Sequence, residues 1–282
     1  MQIITSVIEM QKYVRTKRAE NKTIGIVPTM GWLHLGHLSL MIEARKNNDI
    51  VIASIFVNPL QFGLGEDYEA YPRDISHDAE LAANVGVDII FAPEVSEMYP
   101  KAYHTFVEVE QITEKLCGAF RPGHFRGVTT VVTKLFNILQ PTRAYFGQKD
   151  AQQGFVIKRM VLDLNMPIDV IIMPIVREKD GLALSSRNVF LKEDERQQAL
   201  VLSEALNKVE ELVAAGEKNI ATILNVMREI ITKAPLVIID YIEIFNGDTF
   251  ESIDTLAGKL LIVVAVKFPS ARLIDNIILE VE

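Results

Sequence analysis

The sequence predicts an α/β protein with a doubly wound parallel sheet and a second, smaller α+β domain at its C-terminal end. Two observations lead to this prediction. Over the first two-thirds of the 282 residues, short apolar runs alternate with amphipathic helical stretches, which is typical of a parallel sheet covered by helices. Beyond about residue 176, helical patterns come first and strand-like runs follow, which indicates a separate unit. We therefore expect domains over 1–175 and 176–282.

The first domain is predicted to alternate strands and helices. Its strand-like runs are short and apolar, and they cover 23–27, 49–57, 87–91, 144–146 and 168–173. Its helical stretches carry apolar residues at three- and four-residue spacing, and they cover 36–47, 75–85, 127–139 and 150–164. Because parallel strands are joined by crossover helices, this order predicts a Rossmann-like sheet, with ligands bound beyond the carboxyl ends of its strands.

The second domain is predicted to hold two helices and three strands. The helices cover 193–215 and 220–231, and Gly216 between them is a plausible helix stop. The strand-like runs that follow cover 236–245, 260–268 and 273–279. Helices followed by strands favour a small α+β unit over a continuation of the parallel sheet.

Composition narrows the class of function. The net charge of −8 argues against a general nucleic-acid binder, but it leaves room for a small anion in a local basic pocket. No apolar run is long enough to span a bilayer, so we expect no membrane partner. The single cysteine, Cys117, excludes a disulfide within the chain and is expected to be a buried or bystander thiol. With no secretory signal at the N-terminus, a cytoplasmic location is expected.

Two histidines flank a glycine where the strand at 23–27 runs into a helix. Such a helix N-terminus attracts phosphate through its unpaired N–H groups and its partial positive charge. Gly31 and Gly36 allow the backbone to approach a ligand closely. His34 and His37 can donate hydrogen bonds to phosphate oxygens, and each well-placed donor can contribute about 3–4 kcal/mol to a transition state. The bland alternative is a strand–helix turn with two incidental histidines. We predict a nucleotide-phosphate site.

This stretch carries a family resemblance. Residues 28–37 (PTMGWLHLGH) resemble the signature of the His-x-Gly-His nucleotidyltransferases and, more narrowly, of the pantoate–β-alanine ligase (pantothenate synthetase) family. Further segments agree in that family's order: 56–63 (FVNPLQFG), 71–73 (YPR), 121–128 (RPGHFRGV), 146–153 (FGQKDAQQ) and 183–188 (ALSSRN). The match runs from about residue 20 to 190, and the C-terminal third agrees only in general character. Trp32 and Leu35 depart from the commoner smaller and polar residues.

The resemblance implies a ligase that works in two steps. Pantoate attacks the α-phosphate of ATP to give pantoyl adenylate and pyrophosphate, and β-alanine then displaces AMP. It also implies Mg²⁺, since a cation must offset the triphosphate charge, with Asp78 as the candidate contact. A homodimer is expected from the resemblance alone. The small second domain could serve as a lid that shelters the adenylate.

The resemblance also implies a set of site residues. His37, His34 and Lys149 are the catalytic candidates, and His37 is the family's assigned proton donor. The pantoate ligands are Gln61, Gln153 and Asn58, and Gln61 also serves β-alanine. The ATP ligands are Met30, Gly31, Trp32, Leu33, His34, Leu35, Gly36, His37, Gly147, Gln148, Lys149, Asp150, Val176, Leu184, Ser185, Ser186 and Arg187.

The residue types suit these roles. Neutral amides can both donate and accept, which fits a substrate with hydroxyls and a carboxylate. Lys149 supplies a point charge for phosphates, and Asp150 is a good N-cap for the helix that follows. The serine–arginine segment at 184–187 can grip phosphate oxygens.

Other interpretations stay open. A related nucleotidyltransferase acting on a phosphorylated substrate would need basic residues where this chain has amides. A non-catalytic nucleotide-binding module would be expected to lose part of the histidine, lysine and serine–arginine set, which is complete here. The basic stretch with Arg121, His124 and Arg126 could balance anionic substrates, close over the site, or be a solvated loop.

Overall fold

The computed structural model describes residues 1–63 and 65–281. The chain forms two compact units, Met1–Pro174 and Ile175–Glu282. In the first unit, six parallel strands form one sheet with the spatial order β1-β4-β3-β2-β5-β6. These strands are β1 (Gln2–Ile4), β2 (Ile24–Thr29), β3 (Ile50–Ile55), β4 (Ile89–Phe91), β5 (Arg143–Gly147) and β6 (Asp169–Met173). The predicted parallel sheet is confirmed.

The helices of this unit are α1 (Val7–Ala19), α2 (Leu35–Asn47), α3 (Ile75–Asn84), α4 (Val95–Met98), α5 (Cys117–Phe120), α6 (His124–Leu139) and α7 (Ala151–Asp163). Short 3₁₀ turns cover Pro59–Gln61, Ile112–Glu114 and Gln148–Asp150. From β2 the chain moves outward through β3 to β4, and it then returns to the other side of β2 for β5 and β6. Because parallel crossovers are right-handed, this reversal sends the connecting helices to opposite faces. Accordingly, α2 packs with α3, while α6 packs with α1 and α7.

The hydrogen-bonded pairing of β2 with β5 is short, and a proline explains where it ends. Strand β2 pairs with β3 along its whole length, but it pairs with β5 only at Gly25 and Ile26. The carbonyl of Ile24 accepts a hydrogen bond from Thr142 N at 2.7 Å, on the β5 side. Every second residue of β2 faces the same side, so Pro28 also faces β5. Proline has no N–H to donate, so the ladder ends and the two strands part before they reach their carboxyl ends.

The second unit is the predicted α+β fold. Its elements are α8 (Glu193–Gln198), α9 (Val201–Ala214), α10 (Ile220–Ile231), β7 (Ile238–Asn246), β8 (Gly258–Lys267) and β9 (Arg272–Val281). The three strands are antiparallel in the order β7-β8-β9. Helices α9 and α10 pack against each other and on this sheet, and the buried residues between them form a continuous apolar core. Gly216, with φ of +91°, follows α9 as predicted.

Two helix predictions were wrong in their bounds, and two elements at the N-terminal end were not predicted. The helix expected over 193–215 is two helices, because the chain tightens at Ala199, whose carbonyl accepts from Leu202 N at i+3 spacing, 3.2 Å. Helix α6 begins at His124, one turn earlier than expected. Strand β1 and helix α1 were not predicted, since α1 buries only Met10 and Val14 among charged neighbours. Within the described residues, every helix is too short or too polar to cross a bilayer.

Candidate active site

Three predicted site segments follow three neighbouring strands. Strands β3, β2 and β5 are adjacent in the sheet, and all run in the same direction. The first is followed by Asn58 and Gln61, the second by 30–37, and the third by 147–150. Carboxyl ends of adjacent parallel strands lie at one edge, and the reversal of strand order between β2 and β5 makes that edge a crevice. The fold therefore gathers these segments in one place.

The turn after β2 is held by a buried carboxylate. Gly31 and Trp32 both have positive φ, +86° and +51°, a conformation that is unfavourable for tryptophan. Asp78, 1% exposed on the first turn of α3, accepts from Trp32 N at 2.9 Å and Leu33 N at 2.7 Å. A Cβ at position 31 would lie 2.9 Å from Asp78 Oδ2, so glycine is needed there. Burial raises the pKa of Asp78, and the two N–H bonds partly oppose it.

The two histidines form a capping box at the start of helix α2. His34 Nδ1 accepts from Gly36 N at 3.1 Å, and His37 Nδ1 accepts from His34 N at 3.4 Å. In a neutral imidazole whose Nδ1 accepts, the proton sits on Nε2. The two rings lie 4.0 Å apart, centroid to centroid. Each histidine therefore offers one Nε2–H donor beside the helix N-terminus.

Both histidines are neutral at physiological pH. Burial and, to a smaller extent, the charge of Lys149 lower the pKa of His34 to about 4, with Asp150 acting in the opposite direction. Burial also holds the pKa of His37 well below its usual value, with help from His34 and Lys149. The effect of Lys149 on both rings brings the third catalytic candidate into the same cluster. A neutral imidazole can donate a hydrogen bond to a ligand without carrying a charge itself.

Of the two amides after β3, only one is available for a ligand. Asn58 is 1% exposed, and both ends of its amide are used inside the protein. Its Nδ2 donates to Gln61 Oε1 at 3.1 Å and to Gly127 O at 3.0 Å, and its Oδ1 accepts from Leu60 N and the Tyr99 hydroxyl. Gln61 Nε2, in contrast, donates to the thioether of Met30 at 3.1 Å. A thioether is a weak acceptor, so a substrate oxygen can replace it at little cost.

The segment after β5 leads into α7. Asp150 occupies the N-cap position as predicted, but its side chain makes no capping bond, and the residue is exposed. Lys149 is half-buried. The neighbouring glutamines differ: Gln152 is buried and ties Cys117 N, Ile112 O and Lys115 O together, whereas Gln153 is half-buried. Gln152 is therefore structural, which leaves Gln153 as the candidate ligand on this helix.

The basic stretch 121–126, whose role the sequence did not decide, packs partly against the turn that holds Gln61. Its second half forms the first turn of α6, after Gly123 at φ of +81°. Arg121 and His124 both contact the backbone carbonyl of Gln61. Arg126 is exposed, and its guanidinium stacks on the ring of Phe106 at 3.9 Å. A solvated loop is therefore the wrong interpretation for the first two.

In the second unit, the remaining ATP candidates share one hairpin. Leu184 N donates to Val176 O at 3.0 Å, and the intervening residues turn at Gly181, with φ of +97°. The chain then enters a 3₁₀ turn, Ser186–Phe190, in which Ser185 Oγ accepts from Arg187 N at 3.2 Å. The hairpin therefore brings Val176 next to the second candidate segment, 184–187.

Ion pairs fix this hairpin to its own unit. Arg177 donates to both carboxylate oxygens of Asp275 on β9, at 2.6 and 3.0 Å. Glu178 accepts from Asn188 at 3.0 Å and from Arg196 of α8 at 2.8 Å. Bidentate pairs of this kind are rigid as well as strong. The serine–arginine segment is therefore held in a defined position.

Metal binding by side chains is not supported. Each oxygen of Asp78 already accepts a backbone N–H bond. Across 1–63 and 65–281, no three histidine, cysteine, aspartate or glutamate side chains converge in a way that would hold a metal ion. The residues present do not fit a protein-held Mg²⁺ site.

Known proteins resemble this chain along its whole length. The family model for pantoate-beta-alanine ligase matches residues 2–278. Pantothenate synthetase of Heliobacterium modesticaldum is 57% identical over 281 residues, and that of Acetivibrio thermocellus is 54% identical over 281, each covering 100% of both chains.

Solved structures agree. Pantothenate synthetase from Thermus thermophilus superposes with a TM-score of 0.94 at 46% identity, over 98% of this chain and 99% of that one. Pantoate-beta-alanine ligase from Francisella tularensis, complexed with beta-gamma ATP and beta-alanine, gives 0.81 at 33% identity, over 98% and 97%. With the histidine, amide and lysine segments gathered at one sheet edge, the conclusion is that this chain belongs to the pantoate–β-alanine ligase family, and it is a ligase.

Proposed function

We propose that the chain condenses (R)-pantoate with β-alanine at the expense of ATP, giving pantothenate, AMP and pyrophosphate through pantoyl adenylate. One observation carries the proposal: neutral histidine donors, a lysine and available glutamine amides follow neighbouring strands at one edge of the sheet. The donors suit a triphosphate and the amides suit an unphosphorylated hydroxy acid. The relative from Francisella tularensis, in complex with beta-gamma ATP and beta-alanine, supports ATP and the amine substrate.

In the first step, a pantoate carboxylate oxygen bonds to the α-phosphorus and the bond to the bridging oxygen breaks, releasing pyrophosphate. Negative charge builds on the phosphate oxygens as this happens. We assign the Nε2–H groups of His34 and His37, with Lys149, to those oxygens. Donors that are already in place cost no reorganisation during the reaction. His37 thus stabilises charge as a neutral donor, in place of the proton-donor role implied by the resemblance.

The glutamines orient the acid. Gln61 would exchange its bond to the Met30 sulfur for a pantoate oxygen, and Gln153 would bind from α7. Asn58, whose amide is fully engaged, would act by holding Gln61 in position. Such positioning raises the rate because it replaces a bimolecular encounter with an oriented one. In the second step the β-alanine amine bonds to the acyl carbon, the bond from that carbon to the phosphate oxygen breaks to release AMP, and the amine gives up a proton to solvent. Gln61 would also contact this amine, as the family resemblance implies.

The other ATP candidates keep their proposed roles. The loop 30–37 would bind the phosphates through backbone N–H groups, and 147–150 would bind the nucleotide after β5. In the second unit, Val176 and 184–187 would contribute adenine and phosphate contacts, and that unit would act as the lid. Mg²⁺ would arrive with the triphosphate, whose oxygens are its natural ligands. No step is assigned to protein side chains that bind the metal.

A two-stage assay tests the proposal. ATP and pantoate alone should release pyrophosphate in an amount close to that of the enzyme, and β-alanine should then release AMP and allow turnover. A chain that releases no pyrophosphate with pantoate, in either order of addition, would contradict the assignment. Turnover with a phosphorylated acid in its place would favour the wider nucleotidyltransferase group.

We also propose that the protein acts in the cytoplasm, where ATP is made, and as a homodimer. The dimer rests on the family resemblance. Sedimentation equilibrium at micromolar concentration should give twice the chain mass of 31.7 kDa, and a single-chain mass would reject it.

A further inference from the structure

Three side chains outside the predicted ligand set are linked in a row that ends on Gln61. Arg121 Nε and Nη2 donate to the two carboxylate oxygens of Glu66 at 2.8 and 2.5 Å. Arg121 Nη1 lies 3.2 Å from His124 Nε2, and His124 Nδ1 lies 2.8 Å from the backbone oxygen of Gln61. Arg121 Nη2 donates to that same oxygen at 3.3 Å. Sequence patterns did not single out Glu66.

The bonding pattern fixes the protonation of His124. A guanidinium carries donors and no acceptor, so His124 Nε2 must accept from Arg121. The ring proton therefore sits on Nδ1 and is donated to the Gln61 carbonyl. A second proton on the ring would face the guanidinium and break the row at its centre.

The surroundings keep His124 neutral. Its charged neighbours are Arg121, Glu66 and Asp150. Burial and, to a smaller extent, Arg121 lower its pKa to about 4, although the bond to Gln61 and the two carboxylates act in the opposite direction. The row is thus intact throughout the neutral pH range.

Gln61 depends on this row. It is the last residue of the 3₁₀ turn Pro59–Gln61, and its carbonyl accepts from both Arg121 and His124. Its amide is held only by a single bond from Asn58 and one to the sulfur of Met30, within the described part of the chain. A shift of the carbonyl would therefore move the amide that binds substrate.

We propose that Glu66, Arg121 and His124 form a positioning clamp, which fixes the Gln61 backbone so that its amide meets pantoate. The clamp rests on the proposed function, because that function makes Gln61 the pantoate ligand. In this role the three residues act through Gln61.

Kinetics of three variants test the clamp. His124→Ala should raise the KM for pantoate about tenfold, as expected for a misplaced binding group, and leave the KM for ATP unchanged. His124→Asn keeps a donor near the Nδ1 position and should restore most of the pantoate affinity. Glu66→Gln should give a smaller rise. The exposed His104→Ala is the matched control.

Different results would contradict the clamp and the proposed function. An unchanged pantoate KM in His124→Ala, an equal rise for ATP, or no rescue by asparagine would overturn the clamp. Wild-type protein that shows no pantoate-dependent pyrophosphate release would overturn the function itself, before any variant is made.

A second test of the clamp does not depend on enzyme activity. The ¹⁵N shifts of His124 in the wild-type protein should report the Nδ1–H tautomer and no protonation between about pH 7 and about pH 5.5, below the ordinary histidine pKa. The Nε2–H tautomer, or titration near the ordinary value, would overturn the clamp whatever the kinetics show.

Discussion

At the scale of the residue, Asp78 illustrates how a buried charge supports a strained turn. Its two oxygens satisfy the N–H groups of Trp32 and Leu33, one of which belongs to a residue with φ of +51°. Asparagine in its place keeps the shape, but it turns one acceptor into a donor that faces an N–H. One buried donor is then left unsatisfied.

We therefore expect Asp78→Asn to lower the free energy of unfolding by about 1–3 kcal/mol and to raise the KM for ATP. Denaturant unfolding and initial-rate kinetics measure the two effects. Added Mg²⁺ should not restore the KM, because Asp78 holds the loop; restoration by Mg²⁺ would instead make it a metal ligand. The exposed Asp254→Asn serves as the control.

Some of the site could be predicted from residue types alone. His34 and His37 were identified because their signal is local: a strand, a turn and a helix start within ten residues. The engagement of Asn58 could not be predicted, since it depends on the Tyr99 hydroxyl, 41 positions away in sequence. Single-sequence patterns identify polar side chains, but they do not show which of them the fold itself uses.

At the scale of the element, the N-terminal turn of α6 packs against the 3₁₀ turn Pro59–Gln61, which follows β3. A Cβ at Gly127 would lie 2.3 Å from Leu60 O and 2.6 Å from Gln61 N, both backbone atoms. Only glycine permits this approach, so the position of Gln61 depends on how closely the helix packs against the turn.

Gly127→Ala should push the 3₁₀ turn off the helix. We expect a loss of stability of about 1–3 kcal/mol, as in overpacked cores, together with a higher KM for pantoate. Gly63→Ala is matched to it, since its Cβ would meet Glu66 only at an ordinary 3.8 Å. Thermal unfolding and pantoate kinetics on both variants provide the check, and equal behaviour of the two would count against the argument.

Element prediction succeeded where burial leaves a clear apolar pattern and failed where it does not. Strands β2, β3 and β4 are buried along nearly their whole length, and their apolar runs are visible in the sequence. Helix α1 buries two residues in thirteen and carries no such pattern. The tightening at Ala199 has neither glycine nor proline to mark it, because tertiary packing of that fully buried alanine decides it.

At the scale of the whole molecule, three half-buried neutral histidines couple folding to pH. His34 and His124 have a pKa of about 4 in the folded state, and that of His37 is also lowered, against an ordinary value of 6.5. As pH falls below 6.5 the unfolded chain binds protons that the folded chain does not. As the pH decreases across this window, the free energy of unfolding therefore decreases. The full stabilising contribution of the neutral histidines is present above the window.

Chemical unfolding at about pH 7.5 and about pH 5.5 should show this loss in a range where ordinary carboxylates remain ionised. Calorimetry in buffers of different ionisation enthalpy should detect proton uptake on unfolding. His124→Asn should remove close to one proton of that uptake. Stability that stays level between these two pH values would contradict the neutral assignment of the histidines.

The gap between β2 and β5 has a thermodynamic consequence. Among the described residues, the register between the two strands ends at Ile26 and Ala144, and Pro28 has no N–H with which to extend it. A ligand that enters there has no sheet bond to break, and the backbone does not have to rearrange to admit it. Because the nitrogen of Pro28 carries no hydrogen, the separation of β2 and β5 at this edge is already present in the folded sheet and does not have to be created by a ligand.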